Sequence, residues 1–87
     1  MTRNDKYEIR YIKPHVYPDG EIAGGDDEWE TDAPTKAKAF AIAKKTSRRK
    51  GVYEAMVYEF ANGRNDDFTG QWYFEKGAMT WDMGGNN

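Results

Sequence analysis

The chain contains no cysteine, which excludes thiolate nucleophiles, disulfides and thiolate zinc sites. It has a single histidine, His15, next to Pro14 in a segment that reads as loop. Hydrolytic or group-transfer chemistry needs a base, a nucleophile and an organised pocket, and beyond His15 the only hydroxyl-rich spots are Thr35 and Thr46-Ser47. The expectation is a protein that is not an enzyme. The glycines form neither GxGxxG nor a phosphate loop, so no cofactor is expected. No run approaches the roughly 18 apolar residues of a membrane span, and MTRNDKYE lacks the apolar core of a signal peptide. These absences point to a cytoplasmic protein with no membrane partner.

What is present in excess is aromatic surface: three Trp, six Tyr and four Phe in 87 residues. A chain of that length supports one domain, 1–87, with a modest core. Net charge is −2, so the globally basic footprint of a nucleic-acid binder is missing. The charge is nonetheless uneven. Asp26, Asp27, Glu28, Glu30 and Asp32 form an acidic run, and Lys44, Lys45, Arg48, Arg49 and Lys50 a basic one. A helix between the two runs would have acids at its positive end and bases at its negative end, as its macrodipole favours. Asp26, Asp27 and Glu28 also offer oxygen ligands for a divalent cation, but their spacing is not that of the calcium loop, and a solvated acidic loop is the simpler reading.

The helix is the segment DAPTKAKAFAIAKKTSRRK, residues 32–50, with Asp32 as cap, Pro34 in the first turn and Gly51 as stop. At 100° per residue Ala33, Ala37, Phe40, Ala41 and Lys44 share one stripe. Ile42 lies opposite, so either the helix is rotated from this stripe or Ile42 is exposed. Around it the alternation predicts strands at 7–13 and at 28–31, the two separated by the turns Pro18-Asp19-Gly20 and Gly24-Gly25-Asp26-Asp27. His15, Val16 and Tyr17 continue the first strand irregularly. Further strands are predicted at 52–60, 68–75 and 78–82, with Lys76-Gly77 as a tight turn and 61–67 as a loop. Residues 1–6 and 83–87 are expected to be flexible. The fold class is α+β, an antiparallel sheet of four to five strands in the order β-β-α-β-β-β, with one helix on one face.

Pairing outward from Lys76-Gly77 sets Glu75 against Ala78, Phe74 against Met79, Tyr73 against Thr80 and Trp72 against Trp81. Trp72, Phe74, Met79 and Trp81 then go under the helix with Ala55 and Val57. Met56, Tyr58, Phe60 and Tyr73, flanked by Glu54 and Glu75, are left on the uncovered face, an aromatic patch rimmed by charge of the kind that binds proteins. The alternative is nucleic acid, with Lys38, Lys45, Arg48, Arg49 and Lys50 on phosphates and exposed strand aromatics stacking on bases. Against it, the bases of the helix and the uncovered aromatics face opposite ways. A third reading is a homodimer whose sheet faces bury each other, so the oligomeric state, monomer or homodimer, stays open.

The order of elements, YEIRYI, EWET, a helix with D-x-P-T and A-x-x-F-A, GVYEAMVYEF and QWYFEKGAMTW, resembles the small strand-strand-helix-strand-strand proteins encoded by phages and prophages, several anti-CRISPR inhibitors among them. The resemblance runs from Tyr7 to Trp81 and rests on order and spacing. It implies a protein without catalytic residues that occupies a surface on a host protein or nucleoprotein complex. It assigns no contact residue, and the long Gly-rich connection between the first two strands and the aromatic load of the last hairpin depart from it.

Overall fold

A computed structural model of the chain describes residues 6–62 and 67–83. The strands β1 (Tyr7–Val16), β2 (Ile22–Ala33), β3 (Glu54–Glu59), β4 (Gly70–Glu75) and β5 (Ala78–Asp82) form one antiparallel sheet, and α1 (Lys36–Ser47) follows β2 in the chain. The order across the sheet is β2-β1-β3-β4-β5. The expected α+β class, strand number and single covering helix are therefore observed. No helix among the described residues is long and apolar enough to cross a membrane.

β2 is much longer than the predicted 28–31, because Gly24-Gly25 is extended strand and not a turn. A Cβ on Gly25 would meet the Lys13 carbonyl oxygen at 3.0 Å, so glycine here permits close approach of two strands. The chain reverses at Pro18-Asp19-Gly20 as predicted: Tyr17 N–H donates to the Glu21 carbonyl at 2.8 Å, and Gly20 holds φ +88. Pro14 is tolerated inside β1 because the pairing with β3 ends at Ile12, leaving β2 as the strand's sole neighbour beyond it.

The helix starts later than Asp32. Pro34 biases the residue before it toward extended backbone, and Ala33 accordingly closes β2 opposite Tyr7. Thr35 is the cap, at φ −131 and ψ 155, and its hydroxyl accepts from Lys38 N–H at 3.2 Å. The acidic run consequently lies in β2, and the first turn of α1 holds no acid. Lys44 and Lys45 do occupy the last turn, and Gly51 ends the segment at φ +86.

The helix is rotated from the predicted stripe. Ala39, Ala43, Thr46 and Ser47 are buried, whereas Ala37, Ala41 and Lys44 are exposed. Small side chains on the contact line let the helix lie close to the sheet. Phe40 is then free to flank that line, edge-on to Trp72 at 5.2 Å and to Phe74 at 5.3 Å. Ile42 packs on the core as a partly buried residue, which resolves its misfit by rotation. Under the helix lie Ile9, Ala55, Val57, Trp72 and Phe74, all nearly inaccessible.

The predicted flexible ends at 1–6 and 83–87 lie outside the described residues except for Lys6 and Met83, and both of these are tied to the sheet. Lys6 carbonyl accepts from Phe60 N–H at 2.7 Å, and Met83 N–H donates to the Gln71 carbonyl at 3.0 Å.

Candidate protein-binding face

Side chains alternate across a strand, so the face away from α1 carries Glu8, Arg10 and Ile12 of β1, Glu54, Met56 and Tyr58 of β3, and Gln71, Tyr73 and Glu75 of β4. Two register shifts complete it. In β2 the pairing passes from Ile9 opposite Thr31 to Arg10 opposite Trp29, so that Glu30 is the extra residue. In β5 it passes from Phe74 opposite Met79 to Tyr73 opposite Trp81, so that Thr80 is extra. Each bulge reverses the facing of the residues beyond it. Without them Trp29 would stand opposite Tyr11 and Trp81 opposite Trp72, both on the helix side. With them both indoles are on the open face.

The result is one row across all five strands: Trp29, Arg10, Met56, Tyr73, Trp81, each directly opposite the next. At about 4.8 Å between neighbouring strands the row is roughly 19 Å long. Its two ends are its most accessible members, Trp29 at 47% and Trp81 at 54% exposure, and its centre, Met56, is at 2%. The predicted pairing of Trp72 with Trp81 and the burial of Trp81 and Met79 are thus corrected. Trp81 faces outward, and Met79 at 41% exposure is only marginally covered.

Of the predicted contact residues, Met56, Tyr58, Phe60 and Tyr73 all lie on the open side. Met56 is corrected from a contact to the floor of the face, since its burial leaves no surface for a partner. Tyr58 covers it, its hydroxyl 3.6 Å from the Met56 sulfur. Tyr58, Phe60 and Tyr73 are half-buried. Phe68, 5.0 Å from Tyr58 between ring centroids, extends the aromatic surface. A groove of about 270 Å³ runs there between Glu8, Arg10, Asp27, Tyr58, Phe60 and Phe68.

The polar groups are ordered around this surface. Arg10 donates to Glu8 at 2.9 Å and to Asp27 at 2.8 Å. The hydrogen bond with Glu8 is the chief reason that the guanidinium is held above its ordinary pKa, and Asp27 adds to it against the effect of burial. Trp29 Nε1 donates to Asp32 at 3.1 Å, which fixes the indole at the β2 edge. Gln71 donates to the Tyr73 hydroxyl at 2.9 Å. The Tyr73 phenol is raised by burial first, then by the neighbouring Tyr58 and Glu54. Glu54 is raised by burial and by the charge of Glu75 on the adjacent strand.

The other candidate surface is organised differently. Lys38, Lys45, Arg48 and Lys50 are exposed, but Arg49 makes two hydrogen bonds to Glu30, at 2.9 and 3.2 Å, and stacks over the Tyr11 ring at 5.0 Å. Lys45, Arg48 and Arg49 line a cleft of about 510 Å³ with Glu30, Ile42 and Thr46. This cleft lies beside the helix, and its walls contain none of the open-face aromatics, so the parts a nucleic-acid site would combine remain on opposite sides. The acidic run is split by the alternation of β2 and by its bulge: Asp27 bonds Arg10, Glu28 takes Tyr11 at 2.7 Å and Lys13 at 3.1 Å, and Glu30 takes Arg49. Among the described residues no group of three or more His, Asp or Glu could hold a metal ion. His15 is exposed and packs edge-on to Tyr17 at 4.6 Å.

Comparison with protein-family models, curated proteins and solved structures finds no match to this chain.

Proposed function

We propose that this chain is a non-enzymatic interaction module that binds a protein partner on its open sheet face, and that it serves as a phage-encoded inhibitor occupying a surface of a host nucleoprotein complex in the cytoplasm. The observation that carries the first part is the pair of edge-strand bulges, each of which takes a tryptophan out of the helix side and places it in the same row. Indoles contribute most to stability when buried, and the fold instead exposes two of its three. Bulges re-aim side chains beside functional surfaces, and aromatic groups rimmed by charge are the usual make-up of a protein contact. The second part rests on the resemblance in element order alone, and fold analogy supplies a candidate partner class and not a site.

The test is capture from a nuclease-treated bacterial lysate with the wild-type chain, Trp29→Ala and Trp81→Ala as baits. Retention of the same partner by wild type and its loss with either variant supports the reading. Equal capture by all three baits, or capture that depends on intact nucleic acid, counts against it.

A further inference from the structure

We infer that the occupant of the open face is an extended polypeptide segment carrying Lys or Arg side chains, laid across the strands along the Trp29–Trp81 row. This rests on the reading of that face as a docking surface and adds the chemistry of what docks there.

Charge complementarity is the first argument. The open side bears the carboxylates of Glu8, Asp27, Asp32, Glu54 and Glu75, and its only base among the described residues of the row is Arg10, already held by Glu8 and Asp27. A cationic segment meets attraction there, and an anionic one meets repulsion. The second argument is position. Glu54 and Glu75 sit on adjacent strands, on the same side of the sheet as Tyr73 and the exposed Trp81, and neither makes a hydrogen bond or ion pair with another described residue. Glu54 is half-buried, so its charge has lost part of its water without gaining a counter-ion among the described residues. A Lys or Arg entering beside Trp81 would supply that counter-ion and lie against an indole, the best aromatic partner for a cation.

Dimensions agree with an extended segment. A row of roughly 19 Å accommodates about six residues at 3.3 Å each. The row ends in a tryptophan on each side, and the groove beside Arg10 is an open one of about 270 Å³, so an extended strand fits where a folded knob would not. Guanidinium and ammonium groups also tolerate such shallow seats, because their stems cover apolar surface while the head reaches a carboxylate.

Fluorescein-labelled deca-arginine is the probe, with deca-glutamate as control, read by fluorescence anisotropy at low salt. The wild-type chain should bind deca-arginine and not deca-glutamate. The double variant Glu54→Gln/Glu75→Gln should weaken binding roughly tenfold. Asp19→Asn/Glu21→Gln, which removes the same charge from the far hairpin turn, should leave it nearly unchanged. Equal weakening by the two double variants, or no binding by wild type, overturns the inference. Thermal unfolding of Glu54→Gln/Glu75→Gln checks the fold, which the loss of a carboxylate repulsion should not harm. In the lysate capture, a partner lost with Trp81→Ala but unaffected by Glu54→Gln/Glu75→Gln would overturn the cationic segment while leaving the docking face standing. A partner indifferent to both tryptophans would remove the docking face itself.

Discussion

The Ser47 hydroxyl accepts a hydrogen bond from the Gly77 N–H at 2.8 Å and donates its own proton to the Lys44 carbonyl at 2.8 Å. One side chain thereby fastens the last turn of α1 to the turn between β4 and β5. That turn has positive φ at both central residues, 51° at Lys76 and 85° at Gly77, as a two-residue hairpin of the primed type requires. β5 is an edge strand paired with β4 alone, so the Ser47 bridge helps hold in place the hairpin that presents Trp81. Ser47→Ala should destabilise the chain by about 1 kcal/mol. Urea denaturation measures the loss, and faster amide exchange at Gly77 would localise it.

Tryptophan substitutions should divide by face. Trp72 is buried beneath Phe40 and the Lys36 ammonium, so Trp72→Ala should cost about 3–5 kcal/mol. Trp29→Ala and Trp81→Ala remove indoles that are only about half covered and should each cost about 1 kcal/mol, well below Trp72→Ala. Denaturation midpoints of the three variants decide this. A large loss for Trp81→Ala would return that residue to the core and undo the bulge argument.

The same contrast shows where sequence reasoning stops. Alternation alone correctly divided Ala55 and Val57 from Met56 and Tyr58, and correctly placed Trp72 and Phe74 beneath the helix, because those strands pair without interruption. It failed at Trp81, since a bulge inserts one residue into the register and has no composition signature at Thr80; the bulge at Glu30 that turns Trp29 to the open face is equally silent in the sequence. The helix rotation was half legible. The clash between Phe40 and Ile42 on one helical wheel signalled that the stripe was wrong, but the true contact line runs through Ala39 and Ala43, which hydrophobicity ranks low. At the helix start two signals compete: the Asp32 carboxylate is an obvious cap acceptor, but Pro34 favours extended backbone at Ala33 and so moves the cap to Thr35.

The two cap candidates can be separated directly. Thr35→Ala should cost about 1 kcal/mol, with the loss traced to Lys38, whose N–H gives up its acceptor. Asp32→Ala should leave amide exchange in the first helical turn unchanged, because Asp32 serves Trp29 at the β2 edge. Hydrogen exchange at Lys38 in the two variants is the measurement, and a fast Lys38 amide in Asp32→Ala would move the cap back to Asp32.

Glu54 should oppose folding at neutral pH. Burial and the Glu75 charge raise its pKa in the folded chain, so the native state binds its proton more tightly than the unfolded one does. That contribution to stability is present below the unfolded pKa and is lost as pH rises through the folded value. Glu54→Gln should therefore be more stable than wild type at pH 7, with the advantage shrinking as both are acidified. Equal stabilities across that range would mean that Glu54 is better solvated than its position implies.

At the other end of the sheet, Tyr7 makes the opposite side of the pH range informative. Its hydroxyl donates to the buried Glu59 carboxylate at 2.9 Å, and Thr69 donates to the other carboxylate oxygen at 2.9 Å. Burial first, then the hydrogen bond to Glu59 and its charge, push the Tyr7 phenol from 10.0 up to about 12. In that window the folded chain keeps a proton that the unfolded chain releases, so stability is fully present below about pH 10 and falls as pH approaches 12. Tyr11 and Tyr73 are also raised, so wild type alone would not isolate one phenol. The difference between wild type and Tyr7→Phe does. Tyr7→Phe takes one donor from a buried carboxylate and should cost about 1–3 kcal/mol at pH 8, and this gap should narrow as pH rises toward 12. Urea denaturation of both chains at a series of pH values reads it. A gap that stayed constant would show that the Tyr7 hydroxyl titrates like an exposed phenol and that Glu59 holds its place through its other partners.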